Sequence, residues 1–507
     1  MIARLLSAWP AQPAELAAQH ACGTCTNFRI SLGHGVLQRE LGAGVRSALQ
    51  EHGPRRGNNV LVVSGVSNRA QHRAAFVLHL LRQQGINAMS CGIPAPTATA
   101  IEDACVSARR LGTAAVVSVG GGGTLDAGKA IAAVLANGGS LLDHTVQHAA
   151  EDDPWATNTA VDAVRSDMTL AEESLPHFLL PTLLGSGAET NPAAVIVDDS
   201  DTALEPQLLL PSTSSPMVAL VDHYCNSGQN LGLPAAISAT TPASLFSAMA
   251  RALEELLVLS PLQAEVDGEH AQGNIALRKH LARAILSLVS RRLAPIFVAF
   301  HDKQPLADAV AAAALGTAAD KYLTSLKPRS DEQLWAADAE AALASAYVGV
   351  LGSFSGMSTS QALALATAAG GCDGASSKAA AALLPGTVGA HCDAFGDDDN
   401  AHDSAATDLT AVLCDLGLSG PVEQELLAPD ELLAENVTGV LEALHVPCFA
   451  DGVEDAGASG TLSGMAARRL VEQAHTSFDV FPGFAAESSD PGMLLNTEDM
   501  VAIVEDS

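Results

Sequence analysis

The chain has 507 residues, 48% of them hydrophobic and 43 of them glycine, enough to build two or three packed domains and too apolar for wholesale disorder. Its 57 acidic residues against 26 basic ones leave a formal charge of −31, which repels nucleic acid and anionic membranes, so neither is expected as a partner. No stretch offers ~18 apolar residues free of charge, and no transmembrane helix is predicted.

The first twenty residues are apolar with a single arginine, too weakly basic for a typical transit peptide. The nine cysteines are an odd number scattered without a secretory signal. They read as reduced thiols, so the expected compartment is the cytoplasm, with the mitochondrial matrix as the alternative. Cys22 and Cys25 form one CxxC, which is redox-active, half a metal site, or, with no second CxxC to complete it, an ordinary pair of thiols.

Residues 60–63 read as a buried strand, and residues 69–82 as an amphipathic helix behind it that Gly85 stops. Residues 86–91 form a second strand, after which Pro94 and Pro96 open a helix over 97–111. The third unit, residues 113–137, reads TAAVVSVGGGGTLDAGKAIAAVLAN. An apolar strand around Val116, Val117 and Val119 runs into Gly120, Gly121, Gly122 and Gly123, and a helix follows at once. Glycine there predicts a turn with φ > 0 and lets a ligand approach bare N–H groups. The helix start adds its free N–H groups and the positive end of its dipole, which makes an anion seat, most often for phosphate. Close strand-to-helix packing selects glycine as well.

Residues 143–176 are polar with little periodicity and read as a loop or insertion. Strand candidates follow at 178–181, 194–197 and 217–221, the last ending at Asp222. Directly after the first of these, residues 181–189 read PTLLGSGAE. Thr182 opens the loop, and Gly185 and Gly187 flank Ser186, a hydroxyl placed to face a second phosphate or a ribose. Repeated β–α units argue for a parallel sheet with helices on both faces, where ligands sit beyond the carboxyl ends of the strands.

Beyond Asp222 alanine-rich helical patterns take over, at 243–259, 276–301, 331–351, 361–369 and 377–384. The predicted organisation is an α/β Rossmann-like domain over residues 1–226 and an all-helical domain over 227–507, with a cleft between. The acidic run at 393–408 matches no EF-hand spacing and reads as a solvated loop. The alanine-dense stretch 307–319 carries no chemistry.

The two glycine motifs, in this order, resemble the iron-dependent alcohol dehydrogenases, the superfamily that includes glycerol dehydrogenase and dehydroquinate synthase. The family pattern GGGSxxDxxK is matched by Gly120, Gly121, Gly122, Asp126 and Lys129, with Gly123 replacing the serine. The pattern PTTAGTGSE is matched by Pro181, Thr182, Gly185, Gly187 and Glu189, with Ser186 for threonine and Ala188 for serine. The strand ending at Asp222 resembles the family strand that ends in Asp-Pro, and residues 494–504 its closing helix. The resemblance implies a dehydroquinate synthase-like architecture, with an α/β Rossmann-like NAD(P) domain and an all-α metal-carrying domain, and a homodimer acting on a small alcohol or carbonyl substrate. It assigns cofactor contacts to Gly120, Gly121, Gly122, Gly123, Asp126, Lys129, Thr182, Gly185, Ser186 and Gly187.

The chain departs from that family where the metal should sit. Family members hold Fe²⁺ or Zn²⁺ with aspartate and histidine, and the metal polarises the alcohol oxygen before hydride transfer. At the corresponding positions the resemblance places Pro242, Phe246, Ala362, Ala366 and Ser376, with Leu383, Leu384 and Pro385 anchoring the alignment. No histidine lies between His223 and His270 or between His301 and His391, so no metal is expected. The acidic residue that follows the first strand in the family is Gly65 here, with Arg69 close behind. Arg69 either pairs with a 2′-phosphate, which favours NADP over NAD, or faces solvent. The lysine that follows the second motif in the family is missing, since none occurs between Lys129 and Lys279. Cys372, Asp373 and Lys378 border the lost histidine positions, where Asp373 or Lys378 serves as an acid or base or simply occupies a loop.

Three readings follow: a metal-independent NAD(P)-dependent alcohol or aldehyde oxidoreductase, a non-catalytic interaction or regulatory subunit, and a binding module for another phosphorylated small molecule. Nothing in the residues names a substrate.

Overall fold

The computed structural model describes residues 28–33, 35–52, 58–145, 173–200, 205–209, 217–222, 247–256, 275–289, 341–352 and 357–367. It adds the helical positions 380, 383, 387, 390, 468, 471 and 500–503. Those up to Asp222 belong to one compact unit and those from Ser247 to a second. No described helix is long and apolar enough to cross a membrane.

The first unit is built on a six-stranded sheet. Its strands are β1 (Phe28–Gly33), β2 (Asn59–Ser64), β3 (Asn87–Gly92), β4 (Thr113–Gly120), β5 (His177–Pro181) and β8 (Met217–Asp222), in the spatial order β1-β8-β5-β4-β2-β3. Every pairing is parallel. All eight residues of β4 are buried, and so are residues 60–64 of β2, as strands covered on both faces must be.

Alternate residues feed two separate cores. Val60, Val62, Val117 and Val119 pack with Leu37, Leu41 and Val45, from the π-helical turn Leu37–Leu41 and α1 (Gly42–His52), and with Ala74, Val77 and Leu81 of α2 (Asn68–Gln83). Leu61, Val63 and Val116 pack on the other face against Ile101 and Ala108 of α3 (Ala98–Leu111) and Ile131 and Val134 of α4 (Gly122–Asn137). The two-residue period of β2 therefore divides its side chains between helix layers. Ser67 and Thr97 cap α2 and α3 by accepting from the N–H groups of Ala70 and Ala100.

Most predicted elements recur with boundaries moved by one or two residues, and four findings differ. The predicted strand at 194–197 is real, as β6 (Ala194–Asp198), but it lies outside the parallel sheet and pairs antiparallel with β7 (Glu205–Leu209). A parallel return from β5 needs a crossover, usually a helix, and the segment joining β5 to β6 contains none. β6 instead covers α4, burying Ala194, Ile196 and Leu209 in the same core. β1, β7 and the helical stretch from Leu37 to His52 carry no clear pattern and were not predicted. In β1, Arg29 and Ser31 alternate with Ile30 and Leu32 at the sheet edge, and Arg29 reaches Glu40 at 2.9 Å.

In the second unit the described residues are helical apart from Met357 and Ser358, and except for positions 387, 390, 468 and 471 they fall within or beside the predicted helices. The segment 247–256 carries Arg251, Glu254 and Glu255, all fully buried. Glu255 pairs with Arg251 at 3.1 Å and with Arg278, on 275–289, at 2.6 Å. Glu254 accepts the N–H and hydroxyl of Ser360 on α5 (Thr359–Thr367). Burial lowers the Arg251 pKa, and Glu255 and Glu254 counter it.

One buried base makes stability depend on pH. His177, the first residue of β5, shares a 2.7 Å hydrogen bond between Nε2 and Ser118 Oγ, while its Nδ1 has no hydrogen-bond partner among the described residues. Burial, and then the Lys129 charge, push its pKa down from 6.5 to about 3. The folded state therefore refuses a proton that the unfolded state accepts below pH 6.5, so this contribution to stability is lost as pH falls from 6.5 toward 3. Denaturant titrations at pH 7 and pH 5.5 should show a loss smaller by about 1 kcal/mol in His177→Gln than in the parent. Equal losses would mean that folding leaves the His177 pKa at its ordinary value.

Candidate functional site

The connection leaving β2 runs outward to β3, whereas the chain from β4 goes on to β5 on the other side. The helices that follow, α2 and α4, lie on opposite faces of the sheet. Between the carboxyl ends of β2 and β4 the strand order thus reverses, which opens a crevice there. Both motifs border it.

Gly120 ends β4, and Gly121 is the N-cap of α4 with φ −79° and ψ −176°. Among the described residues no side chain caps this end, so the first-turn N–H groups of Gly122, Gly123 and Thr124 are open to water or a ligand. The expected left-handed turn is absent: none of Gly120, Gly121, Gly122 or Gly123 has positive φ. One extended residue suffices to pass from strand to helix. Glycine is needed here for close approach instead, because a Cβ on Gly122 would lie 3.1 Å from Ser186 Oγ.

The second loop leaves β5 directly beside this turn, since Gly120 and Pro181 are in register and the Thr182 N–H donates to the Gly120 carbonyl at 2.8 Å. Positive φ occurs in this loop, at Gly185 (121°) and Gly187 (69°), values that L side chains resist. The Gly187 carbonyl accepts from the N–H groups of Thr190 and Asn191 at 3.0 and 2.9 Å. The resulting fold-back lays an exposed Ser186 over Gly122, its Oγ accepting from the Ala188 N–H at 3.3 Å.

Asp126 and Lys129 sit one turn further along α4 and are turned inward. Lys129 Nζ, on a side chain 1% exposed, donates to Asp126 Oδ1 and to the Ala193 carbonyl, both at 2.8 Å. Asp126 Oδ2 accepts the Val195 N–H at 3.3 Å. Burial raises the Asp126 pKa, and the Lys129 charge opposes that shift. Arg69 is exposed in the first turn of α2, next to the carboxyl end of β2.

One tie was not visible in the sequence. Asp222, fully buried at the end of β8, accepts the Gly35 N–H at 3.3 Å and the Leu37 N–H at 2.9 Å, fastening the start of the π-helical turn. An acid closing an apolar strand was the available signal. Its partners, 185 and 187 positions away, were not readable.

Of the positions matched to family metal ligands, Ala362 and Ala366 lie on α5, and Ala362 is buried. A methyl group offers no donor to a metal. Pro242, Phe246, Ser376, Cys372, Asp373, Lys378, Cys22 and Cys25 lie outside the described residues. Among the described residues, no group of three or more His, Cys, Asp or Glu side chains could hold a metal ion.

The chain is 26% identical over 175 residues to the probable alcohol dehydrogenase EutG of Escherichia coli strain K12, a match spanning 34% of this chain and 38% of that protein's length. Among solved structures, an archaeal halo-thermophilic alcohol dehydrogenase from a Red Sea brine pool superimposes with a TM-score of 0.62 at 18% identity, covering 95% of this chain and 96% of that one. A 1,3-propanediol oxidoreductase gives 0.60 at 16% identity over 95% and 98%. An NADH-dependent butanol dehydrogenase A from Thermotoga maritima gives 0.55 at 16% over 94% and 96%. These likenesses establish the architecture, an α/β Rossmann-like domain followed by a helical one. Residues 40–223 match the model of the family described as iron-containing alcohol dehydrogenase, so that segment is similar to this family.

Proposed function

We propose that the crevice between β2 and β4 binds NAD(P), and that the chain is a metal-independent NAD(P)-dependent alcohol or aldehyde oxidoreductase. The observation that carries this reading is the uncapped start of α4 lying against the exposed Ser186 loop at the point where strand order reverses. First-turn N–H groups and the helix dipole suit a pyrophosphate, and the Ser186 and Thr182 hydroxyls suit its outer oxygens or a ribose. When bound, the cofactor supplies a nicotinamide ring as hydride donor or acceptor. Arg69, with no carboxylate at Gly65 to repel a 2′-phosphate, favours NADP over NAD. The cofactor domain is assigned to residues 1–226 and the helical domain to 227–507, in a cytoplasmic homodimer.

Metal independence rests on residue types. The buried methyl of Ala362 stands at a matched ligand position, and both histidine-free spans cover the others. The same observation favours a second reading, in which the cofactor site persists in a non-catalytic subunit.

Calorimetric titration with NADPH and NADH, followed by an aldehyde and alcohol panel in EDTA, separates the two. Binding with turnover in EDTA supports the first reading, and binding without turnover the second. Turnover that appears only with Fe²⁺ or Zn²⁺ would overturn metal independence, and no heat with either nucleotide at millimolar concentration would sink both.

Two substitutions refine the site. Gly121→Val keeps a backbone conformation open to any residue, so the melting temperature should hold while cofactor affinity drops by about tenfold or more, as the side chain fills the pyrophosphate's place. Arg69→Ala should weaken NADPH roughly three- to tenfold and leave NADH unchanged, with the NADPH difference shrinking in high salt.

A further inference from the structure

The family-pattern pair Asp126 and Lys129 is matched by motif to cofactor contacts, yet its charged atoms face the protein. Lys129 Nζ is held by Asp126 Oδ1 and the Ala193 carbonyl, and Asp126 Oδ2 holds the Val195 N–H. Ala193 closes the segment that begins at Thr182, and Val195 lies in β6. That segment is fixed at its start by the Thr182 N–H on the Gly120 carbonyl. Between the two fixed ends lie Gly185, Ser186 and Gly187, the residues that cover Gly122.

We infer that Asp126 and Lys129 are positioning residues: a buried clasp from α4 that anchors the far end of the 182–193 loop and so sets where Ser186 stands over the anion seat. The loop has no helix or strand of its own, so its shape depends on its ends and on the turn that Gly187 closes. Releasing the Ala193 end frees the backbone on either side of Ser186 without touching the first turn of α4. A lysine that contacted the phosphates would instead expose its ammonium to the crevice, and this one is enclosed. The effect on affinity rests on the cofactor reading above; the effect on the loop does not.

The test is hydrogen–deuterium exchange on the cofactor-free full chain, with nucleotide titration alongside, for Lys129→Met, Lys129→Arg and Asp126→Asn. In Lys129→Met the amides of Thr190, Asn191 and Val195 should exchange about tenfold faster or more, while those of β4 and α2 keep the parent rate. Nucleotide affinity should fall by a similar factor. Lys129→Arg, which can still reach both acceptors, should restore most of the protection, a rescue that loss of a generic core contact would not give. If Lys129→Met does not fold, Asp126→Asn carries the test, because it removes the charge and leaves one acceptor oxygen for the two donors Lys129 Nζ and Val195 N–H; acceleration at the same amides is expected. Unchanged exchange at Thr190, Asn191 and Val195 in the folded variants would overturn the clasp, and so would lost affinity without loop acceleration, the signature of direct contact. Loop acceleration in the variants, together with a parent that binds neither nucleotide, would uphold the clasp and reject the cofactor reading.

Discussion

A short run of parallel pairing, β4 against β5 from Val116 with His177 to Gly120 with Pro181, decides what is possible at this edge of the sheet. The two strands end level, so the loops that leave them start side by side. From Gly120 the chain enters a helix after one extended residue. From Pro181 it enters no helix, and it must turn back on itself to reach β6. That reversal lays Ser186 against the backbone of Gly122, where a side chain would press on it. Two glycine motifs sixty residues apart in the chain are thus complementary halves of one construction, and their meeting follows from register.

The sheet was largely legible because its central strands are buried on both sides. Val60 to Val63 and Ala114 to Val117 form continuous apolar runs, and such runs have few other uses in a long alternating chain. The edge strand β1 was not legible, since Arg29 and Ser31 break the run where one side of the strand lacks a neighbour. The junction of strand, glycine turn and helix could be read from four glycines before a helical pattern, but its backbone could not. Glycine serves both left-handed turns and close packing, and a sequence does not say which. Here close packing accounts for the α4 start, and left-handed geometry belongs to Gly185 and Gly187. Asp126 and Lys129 show the same ambiguity in charged form. Three apart on a helix, they fit a solvent-exposed pair, a ligand contact or an internal tie. Their acceptor, the Ala193 carbonyl 64 positions away, belongs to tertiary structure alone.

The helical unit hides its chemistry more thoroughly. Its alanine-rich periodicity predicts helices, and helices are found, yet Arg251, Glu254, Glu255 and Arg278 are all fully buried. An amphipathic reading would place such residues in water. Buried ion pairs of this kind contribute little net stability, because desolvation offsets much of the attraction, whereas breaking one leaves a costly lone charge. They therefore constrain which helices can pack together. Glu255 bridges 247–256 to 275–289, and Glu254 bridges 247–256 to α5.

Rigidity also bears on the seat itself. At Gly128, about 9 Å along α4 from Gly122, a methyl group would collide with the Ser118 hydroxyl and lie 2.8 Å from His177 Nε2. The helix thus approaches β4 and β5 more closely than any side chain at that position permits. Ser118 and His177 answer one another by hydrogen bonding in the space left, and burial keeps the imidazole uncharged beside Lys129. A helix end serves an anion well only if its N–H groups are already aimed when the ligand arrives, because ordering them afterwards subtracts from the binding free energy. Close packing at Gly128, the Thr182 bond to Gly120 and the Lys129 clasp to Ala193 hold α4 and its facing loop from three directions. The alignment of the proposed seat therefore resides in contacts beneath α4 and at the ends of its facing loop, away from the glycine turn itself.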